Sequence, residues 1–416
     1  MASLIPLLTT AQVAALSTQT IANLTTADWA LFTTAQITAL TTAQIQAIET
    51  ADLKGVSTAS MVVFTTDQIA AFTSTQFGAL STTQIGVMNT AQSAALETTD
   101  LQVFTSAQMR ALSTAAVAAL DTQQIAALTS SQLSTLATTQ VAALNTNQIG
   151  AIETSDLAAM LSTQIAVFNT NQIRALTTQQ MSALSSTSIR AFNTADVAAL
   201  TTEQVVAMST LQISALDTNQ VSTLNTAQIA AIDTSAIGAM STASVRALNT
   251  AAVAALTTEQ IAGLSTAQVV ALSTTQVGAL NTNQIAAIET TDLAVMNTAQ
   301  VATLNTNQIA ALSTSQVAAM NTADVRALTS TTVAGLTTDQ IVALTSAQLV
   351  AMSTTQIAIE RSRSPTRITT TGSEISADSS ALSYRPLARL RRELPASTET
   401  SPTCSISMDR TRPTST

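Results

Sequence analysis

The residues of this chain best placed to do chemistry are carboxylates. A glutamate precedes an aspartate by three residues four times, at Glu49 and Asp52, Glu97 and Asp100, Glu153 and Asp156, and Glu289 and Asp292. On a helix that spacing puts both groups on one face, where they could bind calcium or exchange a proton. It also fits a plainer role, in which Glu and Asp replace the cap residue and the third residue of a helix start. The rest of the chemical inventory is thin. There is no histidine, which removes the commonest general base and metal ligand. Cys404 is the only cysteine, so neither an intrachain disulfide nor a cysteine zinc site can form. The sequence has no glycine-rich phosphate loop, nucleophile elbow, EF-hand loop or Gly-Gly-x-Gly-x-Asp repeat. The expectation is a protein that is not an enzyme, with no catalytic, cofactor-binding or metal-binding residue and no cofactor.

The pattern that carries these residues is periodic. From Leu8, steps of eight residues reach Met352 without insertion or deletion, giving 44 octads over residues 8–359. Their consensus is L-[TSN]-T-x-Q-[IV]-x-A, as in the octad from Leu280 to Ala287. Position 1 is always Leu, Met, Phe, Ile or Val. Position 6 is nearly always apolar, with Ser93 the exception, and Trp29 takes one of these interior slots.

One continuous helix does not fit, because eight residues at about 100° each advance two turns plus about 80°, so the apolar stripe would wind around the axis. A plain strand fits poorly too, since positions 1 and 6 would point to opposite faces. Short helices do fit. With position 2 as N-cap (Thr, Ser, Asn or Asp), Gln at position 5 is N3 and completes a capping box, while positions 1 and 6 are the two halves of a hydrophobic staple. Charges agree with this frame. The array's basic residues, Lys54, Arg110, Arg174, Arg190, Arg246 and Arg326, all stand at position 7, and its acids stand at positions 2, 4 and 5. Gly55, Gly78, Gly150 and Gly263 lie at positions 7 or 8, where a helix ends. The fold class expected is therefore all-α, an α-solenoid with one very short helix per octad that buries positions 1, 6 and 8; the alternative is a β-solenoid laddered by Thr and Gln. Most junctions lack glycine, so the turns must avoid left-handed backbone. Position 3, Thr or Ser in every octad, is read either as a second cap or as a hydroxyl ladder between layers.

Residues 1–7 form an N-terminal leader without the basic segment and cleavage site of a secretory signal. Thr, Ser, Asn or Gln interrupts every octad, so no run reaches the roughly 18 apolar residues that span a bilayer. Residues 360–416 lose the period and turn rich in Ser, Thr, Arg and Pro, the composition of a disordered tail. The array carries 6 basic and 18 acidic residues, the tail 9 and 6. The basic run from Arg385 to Arg392 is read as a solvated charge cluster, and nucleic acid is not an expected partner of the acidic array. The abrupt change makes a frameshifted or truncated gene the expected origin of the tail, which the coding DNA can check.

The octads resemble the Leu-x-Thr-x-Gln-Ile-x-Ala tracts of large bacterial surface or secreted proteins, commonly labelled haem utilisation or adhesion proteins, some with calcium-binding RTX-type C-terminal regions. The likeness covers residues 8–359 and implies a secreted or cell-surface protein. It transfers no haem or calcium ligand to any residue here, because axial histidines and an aspartate-rich calcium region are both missing. The expected function is a non-enzymatic structural spacer or adhesive segment. The rivals are a solenoid that binds a peptide or protein and a threonine array that binds ice or glycan. The expected partner is an undefined protein or surface ligand, with end-to-end self-association as a further expectation.

Overall fold

The computed structural model describes residues 4–363. Expectations for the tail, its disorder and its frameshift origin, lie outside the described residues from 364 onward. Each octad but one forms a short α-helix, and no strand occurs among the described residues, so the chain is an all-α solenoid rather than a β-solenoid. The helices run four to six residues, as in Thr66–Ala71, Thr82–Gly86 and Thr290–Leu293. The last, Thr354–Arg363, continues past Ile359.

Position 2 starts each helix. At Thr65, for example, the backbone is extended, the side chain accepts from the Gln68 N–H, and the Gln68 side chain accepts in return from the Thr65 N–H. Such a box satisfies two of the orphan donors of a helix N-terminus and is worth about 1 kcal/mol per cap. The helices end without left-handed residues: Leu80 leaves in the extended region at φ −65° and ψ 141°, and Ala47 stays right-handed at φ −83° and ψ −1°.

A six-residue helix has no stability of its own, so the layers must supply it. Helices three octads apart pack together, for instance Ser130–Thr135 against Thr154–Ala159. Side-chain hydrogen bonds between layers reach further, spanning 28 and 31 residues at Gln68. One superhelical turn therefore closes after about three and a half octads, and successive layers are staggered by half an octad. Positions 1 and 6 build a continuous core from Ile5 to Met352. Trp29 lies in it, stacked on Phe32 with ring centroids 4.8 Å apart. Ile5, in the segment preceding the octads, is buried as well and belongs to the first layer.

Position 8 is half-buried rather than buried, and position 5 takes the inner place expected of it. The reason is angular. Position 8 lies about 200° around the helix from position 6, whereas position 1 of the next octad lies only about 60° away, so 6 and 1 can share the core and 8 cannot.

Position 8 instead meets the backbone of position 3 in the neighbouring layer. At Gly55, in the octad that closes as the 3₁₀ turn Leu53–Gly55, an added Cβ would collide with the Thr26 carbonyl oxygen. Gly278, at position 7, has open space where its Cβ would be. Thermal melts should therefore separate two chemically identical changes. Gly278→Ala should stabilise the chain by about 0.5–1 kcal/mol through helix propensity, while Gly55→Ala should lower the melting temperature.

Candidate functional site

The most elaborate polar arrangement lies inside the superhelix. From Gln36 onward the position-5 glutamines are almost fully buried, Gln92 at 1% exposure, yet each amide is satisfied at both ends. The Gln92 Oε1 accepts from the Asn89 N–H at 2.9 Å, and Nε2 donates to the carbonyls of Met61 at 2.7 Å and Phe64 at 2.9 Å. Those carbonyls stand at the C-terminal end of Thr58–Val63, one layer back. A single side chain thus starts its own helix and caps the end of another. This supplies acceptor pairing at junctions that have no glycine. The ladder runs from Gln36, which donates to Ile5 and Leu8, to Gln356, which donates to Val325 and Leu328. It persists where the cap residue has no hydroxyl, since Gln140 accepts from the Ala137 N–H and Gln164 from the Leu161 N–H.

Sequence reasoning found the first of these roles and missed the second. A signal was present. A capping box accepts Glu as readily as Gln, yet 29 of the 44 octads carry Gln at position 5 and none carries Glu. The preference is for an amide donor, which an ionised carboxylate of the same length cannot provide.

The four acidic pairs do not converge. Glu49, Glu97, Glu153 and Glu289 are exposed, and the last three stand at N-caps without making a side-chain cap bond. Three of the four aspartates turn into the interlayer seam instead. Asp52 accepts from the Thr26 hydroxyl at 2.7 Å, Asp100 from Ser74 at 2.8 Å, and Asp156 from Ser130. The reading of these pairs as simple cap replacements is corrected accordingly: Asp is too short to serve its own N-cap and the seam together. At these three octads the position-3 hydroxyl donates to a carboxylate in the next layer, which is neither the second cap nor the hydroxyl ladder considered for that position. Burial pushes the Asp100 carboxyl above its ordinary range, with the Ser74 hydroxyl pulling the other way. Among the described residues no group of three metal-ligating side chains comes together.

Ser93 is the one polar residue at position 6, fully buried and with its hydroxyl unpartnered. An unpaired buried hydroxyl costs about 1–3 kcal/mol, so Ser93→Val should raise stability by a comparable amount in denaturant melts.

The outer surface is nearly featureless. A shallow groove of about 390 Å³ is lined by Thr178, Thr202, Glu203, Val206 and Ala207. The Glu203 carboxyl is held below its usual range by its own backbone N–H and the Thr201 hydroxyl, which favours a spectator charge at a helix start. Basic residues at position 7 serve helix ends, and Arg174 Nε donates at 3.1 Å to the Ala199 carbonyl of the next layer. None of the described helices is long and apolar enough to cross a membrane.

Fold and seam together define a repeat protein of the α-solenoid class, in which the conspicuous polar residues bind the protein's own backbone. The ALTTAQ repeat matches residues 45–82, 93–130, 149–186, 181–210, 229–266, 262–287, 285–322 and 317–354, more than half of the chain, and the chain belongs to that family. No curated protein matches it.

Proposed function

We propose that the chain is a non-enzymatic spacer or adhesive segment of a secreted or surface-displayed bacterial protein. The observation that carries this reading is the glutamine ladder, which recurs from the first layer to the last although other residues at position 5 interrupt it, over three successive octads at Ala236, Ser244 and Ala252. It commits the most conspicuous polar side chains to holding layers together. Length and regularity are then what the array offers, and each octad adds the same increment. The stagger between layers counts against ice or glycan binding by ranked threonines, because the threonines of successive layers are offset by half an octad rather than aligned.

Surface display of the full chain and of versions shortened by whole octads tests the proposal. The height of a terminal tag above the cell should fall in proportion to the octads removed. A height independent of octad number would sink the spacer reading; adhesion to a coated surface, lost with the array, is what the adhesive form expects. A peptide-binding solenoid is the second reading, favoured by the groove beside Thr178 and Thr202, where Val206 is 65% exposed. It requires a bound peptide whose affinity falls on Val206→Asp.

A further inference from the structure

The glutamine seam is interrupted near its C-terminal end by a buried acid. Asp324 stands at position 5, is 0% exposed, and has both carboxyl oxygens without a hydrogen-bond partner. Glutamines on either side show what this register faces. Gln316 donates to Ile285 and Ile288, and Gln356 to Val325 and Leu328, in each case to carbonyls 31 and 28 residues earlier. The same register at 324 points to the carbonyls of Leu293 and Met296, at the end of Thr290–Leu293. An ionised carboxylate there sets acceptor toward acceptor, and the Thr298 hydroxyl, 26 residues back where Ser74 serves Asp100, makes no bond to it. A neighbouring octad shows that a hydroxyl can fill this role. Thr332, also in place of Gln, donates its hydroxyl to the Leu304 carbonyl 28 residues back at 3.2 Å.

We infer that Asp324 is a proton-binding site within the seam, and that its neutral carboxyl supplies the hydroxyl donor which the missing glutamine amide would have given, making this layer junction tighter in mild acid than at neutral pH. A metal ion is the weaker occupant. One carboxylate and two carbonyls, closed off from solvent, fall short of the six to eight oxygens that calcium takes.

The surrounding charges leave burial in control. Thr298–Ala302 and Ser346–Ala351, the helices packed on either side, contain no titratable residue. Nor do the neighbours in the chain, Thr314–Ala319 and Ser330–Val333. Glu289 and Asp292 accompany Thr290–Leu293, and Arg326 is on the same helix as Asp324, exposed to solvent. Burial pushes the Asp324 carboxyl up to about 6 from an ordinary 3.8, opposed by the Asn321 backbone N–H, which does not reach hydrogen-bonding geometry. The folded chain therefore holds a proton between about pH 4 and 6 that the unfolded chain has released. Stability from this site is complete below about pH 4 and is lost as pH rises through about 6.

The test compares the full chain with Asp324→Asn and Asp324→Gln in denaturant melts from pH 4 to 8. Other acids titrate in all three proteins, so the difference from wild type is the quantity read. Both amide variants should be more stable than wild type at pH 7.5, and this advantage should shrink steadily between pH 7 and 4.5. Infrared difference spectra should show a protonated carboxyl at pH 5 that is absent from both variants. Amide variants less stable than wild type at pH 7.5, a stability difference constant with pH, or no protonated-carboxyl band assignable to Asp324 at pH 5 would each overturn the inference.

Discussion

Replacing Gln204 with leucine should destabilise the array by about 2–6 kcal/mol, although leucine matches it in size and belongs in a core. Gln204 accepts from the Thr201 N–H at 3.0 Å and donates to the Ile173 and Leu176 carbonyls, both at 2.8 Å. Leucine removes all three bonds; the Ile173 carbonyl keeps the Leu176 N–H, so two main-chain groups, the Thr201 N–H and the Leu176 carbonyl, are left unpaired in the seam, each costing about 1–3 kcal/mol when kept from water. The apolar gain is small, because the aliphatic part of glutamine is already buried. Gln204→Glu sharpens the test, since it keeps the shape and the bond to Thr201 while turning the donor end into an acceptor. At pH 7 it should be at least as damaging as leucine. On acidification it should recover part of the loss, because the neutral carboxyl regains one donor and the buried group's affinity for a proton is raised. Hydrogen exchange around residues 173–176 would localise the damage to one layer, as expected of a fold whose coupling runs between neighbours. A loss below about 1 kcal/mol for the leucine variant would mean that water or local rearrangement replaces the seam bonds.

The helix starts were legible in the sequence. Thr65 and Gln68 predict a helix start because both partners of the capping box sit three residues apart, and Phe64 and Ile69 mark the buried side in the same few letters. What joins octads was not legible. The partners of Gln68 are the carbonyls of Ile37 and Leu40, and every residue carries a carbonyl, so no residue type marks the acceptor. The stagger is hidden for a related reason: a strict period of eight does not reveal that a turn closes after three and a half periods. The burial expected at position 8 followed from counting Ala as core. Yet position 8 faces the backbone of the neighbouring layer rather than the axis, as the contact of Gly335 with Thr306 shows. The aspartates misled in the same way. Asp100 fits an N3 position by residue type, but its carboxyl is engaged by Ser74, 26 residues earlier.

Because layers recognise position rather than individual octads, deleting one whole octad should cost little, while deleting half of one should divide the fold. Removal of residues 208–215 takes out the helix Thr210–Ala215 with its core residues Met208 and Ile213. Downstream glutamines then meet the carbonyls of different octads, but still at positions 6 and 1, so the seam and core close again with only changes among Ile, Val, Leu and Met. The expected penalty is about 1–2 kcal/mol, the scale of core swaps that keep volume. Removal of residues 208–211 alone leaves every later octad four residues out of phase with every earlier one. Across that boundary about one turn of the superhelix loses its glutamine bonds, and apolar position 6 is set against polar position 2. With each buried aliphatic side chain worth about 1.5–3 kcal/mol, the coupling lost is on the order of 10 kcal/mol. The two flanks each keep internally consistent layers, so they should still fold. Calorimetry should show one transition for the eight-residue deletion and two for the four-residue deletion, with helical circular dichroism largely retained in both. A single cooperative transition in the four-residue deletion would mean that the half-octad stagger adapts to phase, and that the carbonyl register does not hold the layers in place.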